Sequence, residues 1–213
     1  RGRVGAPRIG MFELDSHRVV HTPNCSVHHP LINRVAAVMR RALVETGTTM
    51  WSDAAHQGVA RYLQVVVERR SQTAQVVLVA NDATGDSLAD VLALIRERLG
   101  ADLHSLWSNA QCEPTNTILG PTFRHWHGPT SVVETFGGAD VHYPPGAFGQ
   151  NNLDLAERMV AHVREQVPEG SRVAEFYAGT GAIGLSLLDR TSAIRLNEVA
   201  PASLEGLALG LAG

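Results

Sequence analysis

The chain has 213 residues and a mass of 22.9 kDa, which is room for one large domain or two small ones. With 44% apolar and 18% charged residues it is no disordered chain, collagen or disulfide-stapled miniprotein, and it has no apolar run of the ~18 residues that a membrane span needs. A formal charge of -3 excludes a chain that coats nucleic acid by charge alone while leaving a local basic groove open, and because all 18 basic residues are arginine there is no lysine nucleophile or Schiff base.

Residues 7 to 21 predict two short strands around an Asp15-Ser16 turn. Cys25 follows, and with Cys112 it makes two cysteines, too few for a disulfide framework or a closed zinc site. A helix is expected from Pro30, which suits a first turn, to a stop at Gly47. Its apolar residues Leu31, Val35, Val38, Met39 and Ala42 recur at three- and four-residue steps. The β-rich runs 57–69 and 74–80 are separated by Arg70-Ser71-Gln72-Thr73 and predict an antiparallel pair. A helix over about 86–99 comes next, closed by Gly100. A strand at 104–108 and several short β segments follow, with Gly137-Gly138 as a hairpin turn before a strand at 139–142.

The grammar changes near residue 150. Asn152 can cap a helix running to about Gln166 with Leu155, Met159, Val160 and Val163 as its buried stripe. Arg172–Phe176 reads as a short buried strand, and a glycine loop and a helix through Leu188 follow. A second strand covers 193–196, Asn197-Glu198 ends it, and another helix opens near Pro201. Helix, strand, glycine loop, helix, strand and acid in that order form the first half of a doubly wound nucleotide-binding sheet.

Gly179, Gly181 and Gly184 satisfy G-x-G-x-x-G between strand and helix, where glycines allow a sharp turn and close approach of a ligand to the main chain. Glu198 stands at the tip of the next strand, where a carboxylate can accept both hydroxyls of a ribose. The pattern fits both NAD and S-adenosylmethionine (SAM). Two features favour SAM. Glu175, at the end of the first strand, suits a methionine ammonium better than a pyrophosphate, and a helix immediately precedes that strand.

Five segments then resemble one family, the SAM-dependent RNA 5-methyluridine methyltransferases. Ala147-Phe148-Gly149-Gln150-Asn151-Asn152 resembles its Phe-Phe-Gln-Val-Asn element. Ala174-Glu175-Phe176-Tyr177-Ala178-Gly179-Thr180-Gly181 is similar to its Leu-Asp-Leu-Tyr-Cys-Gly-x-Gly loop, and Leu196-Asn197-Glu198 to its Gly-Val-Glu strand tip. Asn116-Thr117-Ile118-Leu119-Gly120 resembles its Gly-Asn-x-Ile-x-Gly hairpin. The run from Cys25 to Asn33 resembles the family's Cys-Pro-x-x-x-Pro-x-Ile-Asn segment.

The resemblance implies a class I SAM-dependent fold and methylation at C5 of a uridine in tRNA or rRNA. In that reaction a cysteine thiolate attacks C6, C5 takes the methyl group and a base removes the C5 proton; the target base must leave its stack. It also implies that Gln150 contacts SAM from the preceding loop and that Tyr177 lines the pocket. Gly179 and Gly181 give main-chain access, Glu175 faces the ammonium and Glu198 holds the ribose. An RNA partner, a cytoplasmic location and no DNA or membrane partner follow from the same likeness.

The sequence departs from the family at Ala178, Ala182, Asn151 and Glu175, where the family carries cysteine, a polar residue, an apolar residue and aspartate. Neither Cys25 nor Cys112 matches the nucleophile, so no catalytic residue is expected within the chain; nucleophile and base are expected beyond Gly213. The chain begins at Arg1 without a methionine and is expected to be an inactive internal piece of a longer protein. Cys25 matches a position that in some family members is the fourth ligand of an iron–sulfur cluster, so a cluster is conceivable only in a longer parent.

His28-His29 and His125-Trp126-His127 lack metal-ligand spacing, and no metal is expected. Trp126 reads as packing and Arg34, Arg40, Arg41, Arg69 and Arg70 as solvated charge, with contacts to RNA bases or phosphates as the rival readings. The expected fold is α/β: an α+β central domain over 1–145, then the first half of a Rossmann-like class I methyltransferase sheet over 146–213. The functional rivals are an NAD-dependent oxidoreductase and a non-catalytic RNA-binding module with a vestigial methyltransferase loop.

Overall fold

The computed structural model describes residues 7–16, 18–53 and 55–213. The chain opens with an antiparallel hairpin of β1 (Gly10–Phe12) and β2 (Val19–His21). The helix expected next is α1 (Pro30–Glu45), with proline in its first turn, the His29 side chain accepting from the Leu31 N–H and Gly47 in the left-handed region just past its end.

β3 (Ala60–Glu68) and β4 (Thr73–Ala80) form the predicted antiparallel pair. The first strand begins at Ala60 rather than Gln57, because Gly58 sits at φ +114 against the Met50 carbonyl and turns the chain there. After a 3-10 turn at Asp86–Leu88, α2 (Ala89–Leu99) leads to β5 (Leu103–Ala110), which lies parallel to β4; a parallel neighbour requires such a crossover. β6 (Thr122–His127) completes a sheet of order β3-β4-β5-β6. The Asn116–Gly120 segment is a loop between β5 and β6, and the Asn109 side chain holds it through both the N–H and the carbonyl of Gly120.

Both helices cover one face of this sheet. Val35, Met39, Leu92 and Ile95 meet Val76, Leu78 and Leu106 there, while Val77, Val79 and Trp107 cluster on the other face. β4 is therefore buried on both sides, which explains its unbroken apolar run. Truncating Met39 or Ile95 to alanine in such a core costs about 2–5 kcal/mol.

The second compact unit begins at Thr130. It contains a hairpin of β7 (Val132–Phe136) and β8 (Ala139–Tyr143) turned at Gly137-Gly138, both at positive φ. Next come α3 (Leu153–Gln166), β9 (Arg172–Phe176), the five-residue α4 (Ala182–Ser186), β10 (Ala193–Asn197) and α5 (Pro201–Ala212). β9 and β10 are parallel, pairing Arg172 with Ala193 through to Phe176 with Asn197.

Three sequence expectations shift. The units divide between Pro129 and Thr130, ahead of the expected 145/146 boundary, because the β7–β8 hairpin packs on α3, α4 and α5. In α3 the buried residues are Ala156 and Val160, whereas Leu155 and Met159 are 49% and 52% exposed. Val160 of the expected stripe is buried, but with Ala156 in place of Leu155 and Met159, on a helix that packs against α4 and β7. α4 stops at Ser186 instead of Leu188. Its last N–H groups turn to carbonyls three residues back (Leu187 to Gly184, Leu188 to Leu185), and the Ser186 hydroxyl bonds the Ile183 carbonyl. No helix among the described residues is long and apolar enough to cross a membrane.

Candidate cofactor site

Parallel pairing of β9 and β10 brings the two strands' carboxyl ends side by side, so the loops that follow them meet. This is where ligands settle in open α/β sheets. Three residues of the first loop, Tyr177, Gly179 and Gly181, lie at positive φ (+58, +58 and +89). For glycine that costs little. For tyrosine it is a strained conformation, held here in a side chain that is 88% exposed.

The glycines differ in purpose. A Cβ on Gly179 would meet nothing within 4 Å, so the main chain is bare on that side. A Cβ on Gly181 would strike Leu207 at 2.5 Å, and one on Gly184 would strike Leu196 at 2.4 Å and the Glu175 carboxyl at 2.5 Å. The second and third glycines thus let α4 and α5 approach, and the first leaves space.

Glu198 reaches back across this turn. Its Oε2 accepts from the Gly179 N–H at 2.7 Å, spanning 19 residues, and its Oε1 accepts from Val199 at 2.6 Å and Ala200 at 2.8 Å. The N–H groups of Ala200, Val199 and Gly179, in that order of effect, hold the carboxyl below the ordinary glutamate range. Glu198 is therefore ionised at neutral pH, oriented by three donors, and retains lone pairs for further ones.

Glu175 has the opposite character. Burial pushes its pKa up, the Gly184 N–H only partly offsets this, and Oε2 is buried without a hydrogen-bond partner. This oxygen lies beneath α4, where a Cβ on Gly184 would stand 2.5 Å from it. Gln150 is exposed on the segment between β8 and α3.

The structure thus brings Gly179 and Glu198 into direct contact and sets Glu175 beneath Gly184. Three residues of this unit were missed in the sequence. Tyr143 is almost wholly buried, its ring 3.0 Å from where a Cβ on Gly149 would stand. Gly206 lies against the His142 carbonyl, where a Cβ would stand at 2.3 Å. Gly206 and Gly210, four apart in α5 and both against β8, were the available signal.

Three of the remaining candidates have ordinary partners. Trp126 donates to the Ser108 hydroxyl at 2.9 Å and carries the Arg124 guanidinium over its ring. Arg34 pairs with Asp102, and Arg40 donates to the Pro7 carbonyl. Cys25 and Cys112 are free thiols, and two cysteines do not make the four-thiolate set of an iron–sulfur cluster.

Comparison with known proteins decides the fold. The chain superposes on a Pyrococcus abyssi tRNA (uracil-54, C5)-methyltransferase, a structure in complex with S-adenosyl-L-homocysteine, with a TM-score of 0.76 at 16% identity, covering 92% of this chain and 47% of that one. The fold is that of a methyltransferase. In sequence the chain is 35% identical, over 96% of its length and 55% of the relative's, to an uncharacterized RNA methyltransferase of Protochlamydia amoebophila. A Geobacter sulfurreducens protein of the same designation is 25% identical over 95% of this chain and 41% of its own length. The chain spans about half the length of the curated relatives it matches. No protein-family model matches it.

Proposed function

We propose that the full-length protein transfers a methyl group from SAM to C5 of a uridine in tRNA or rRNA in the cytoplasm. Residues 1–213 would supply its central domain and the first cofactor-binding elements. The observation that carries this reading is the Glu198 carboxylate bonded to the Gly179 N–H, beside a turn that is open where a glycine replaces a side chain.

The residues present suit SAM. Glu198 would accept the ribose hydroxyls on its remaining lone pairs, already aligned by Gly179, Val199 and Ala200. Gly179 and Gly181 would let the adenosine lie against the main chain, with Tyr177 as one wall. Glu175 would pair its buried oxygen with the methionine ammonium, and Gln150 would bond the ligand from the preceding segment. SAM supplies an electrophilic methyl group on a sulfonium. The nucleophilic thiolate and the base for the C5 proton would come from residues outside this chain.

Calorimetry on the full-length protein tests the cofactor: S-adenosylhomocysteine (SAH) should bind, NADH should not, and Glu198→Ala should abolish SAH binding. RNA carrying tritium at uridine C5 tests the position, because methylation there must release the label. NADH binding in place of SAH would establish the oxidoreductase rival. Methyl incorporation without tritium release would rule out C5.

A further inference from the structure

A trough of about 590 Å³ lies between α1 and α2, lined by Arg34, Ala37, Val38, Arg41 and Glu45 of the first helix and Arg98 of the second. Steps of four, three and four from residue 34 through 38 and 41 to 45 put these side chains on one flank of α1. Three guanidiniums against one carboxylate make the lining positive on a chain whose formal charge is -3. Arg34 pairs through Nη1 with Asp102, and Arg98 through Nη2 with Glu45. A guanidinium has five N–H donors, so both keep others to give. Arg41 is exposed and makes no hydrogen bond or ion pair with any of the described residues.

We propose that this trough is a contact surface for the phosphate backbone of an RNA strand, with Arg41 as its uncommitted cation and Arg34 and Arg98 beside it. The proposal rests on the reading of the protein as an RNA methyltransferase. The shape of the trough favours phosphate contact over solvated charge for Arg34 and Arg41. Seven residues separate the two, about 10.5 Å along the helix, so a polyanion engages both where a single phosphate group would not. All three cations are arginine, whose planar fork matches two phosphate oxygens at once. Arg34 and Arg98 are already held by carboxylates, so little further ordering is needed when a strand arrives. Contacts of this kind position an RNA without reading its bases.

The test is fluorescence anisotropy of the full-length protein with a labelled single-stranded oligouridine at several salt concentrations, because phosphate contacts act on any sequence. Each contact adds about 0.7 to the slope of log affinity against log salt on single strands. Arg41→Ala should therefore lower the slope by about 0.7 and weaken binding about fivefold at ~0.1 M salt, and Arg34→Ala combined with it should lower the slope by about 1.4. Arg96→Ala removes the same charge from an exposed position of α2 outside the trough and should leave the slope unchanged. The melting temperature and SAH affinity of Arg41→Ala should match the wild type. A slope that Arg41→Ala leaves unchanged, or that Arg96→Ala lowers equally, would overturn the proposal. So would polyglutamate competing as well as unlabelled oligouridine at equal charge, which would assign the trough to an acidic peptide. A wild type that binds SAH but no oligouridine would overturn the RNA surface and leave the cofactor reading intact. Loss of SAH binding alone would overturn the cofactor reading, while the slopes still decide the trough.

Discussion

Gly206→Ala isolates the contact that sets α5 against β8. In an unconstrained helix the exchange stabilises by about 1 kcal/mol, because alanine is the best helix former and glycine among the poorest. Here the new Cβ would stand 2.3 Å from the His142 carbonyl oxygen and 3.0 Å from both Pro144 Cδ and Thr180 Cγ2. A relaxed carbon–oxygen contact is about 3.3 Å, so the helix must retreat by roughly 1 Å. Overpacking costs about 1–3 kcal/mol, and a backbone carbonyl with no rotamer to yield places this case near 3. Setting the ~1 kcal/mol helix gain against ~3 leaves a loss of about 2 kcal/mol, a fall in melting temperature of about 4–8 °C for a chain of this size. Scanning calorimetry should show that drop. Gly210→Ala, whose nearest neighbour is the flexible end of Leu185, should lose much less. SAH affinity should fall with Gly206→Ala as well, because α5 begins just after Glu198. A higher melting temperature for Gly206→Ala would refute the close packing of α5.

Three further outcomes follow from the site. Tyr177→Gly removes a strained φ of +58 and should stabilise the protein by about 1 kcal/mol in thermal melts while weakening SAH binding. Gly179→Ala should cost about 1 kcal/mol in stability, for the positive φ alone, yet weaken SAH binding far more, because its methyl group would project into the open side of the turn. Burial raises the pKa of Glu175, so its charged form is disfavoured in the ligand-free fold, and stability should decline slightly as pH rises through the carboxylate range. A cationic ligand reverses that preference: SAH affinity should fall as pH drops through the raised pKa, and Glu175→Gln should flatten the dependence in calorimetry at several pH values.

Much of the fold is legible in local chemistry. The proline and glycine bounding α1, the polar turn between β3 and β4 and the Gly137-Gly138 hairpin all act within a few residues, and the structure has each of them. The glycine turn and Glu198 were legible as a pair because the spacing of strand, loop and strand is itself a local pattern. What escaped depends on partners distant in the chain. In α3 the burial of Val160 was legible, but whether Leu155 and Met159 or Ala156 joins it is decided by the positions of α4 and β7. Nothing local to Tyr143 shows that its ring will lie against Gly149. Nor does the periodicity of α4 show that its final turn tightens before Leu188.

The Cys25 loop has a consequence for how that thiol is carried. The Asn33 side chain accepts from the Cys25 N–H at 3.2 Å and donates to its carbonyl at 3.0 Å, so a carboxamide on α1 grips the peptide on both sides. Sulfur takes no part in that grip. Serine in place of Cys25 should leave this bend and the thermal melt nearly untouched, whereas leucine in place of Asn33 should release the backbone and speed amide exchange there, with the cysteine chemically unaltered. The anchor of this loop is an amide and not a thiol.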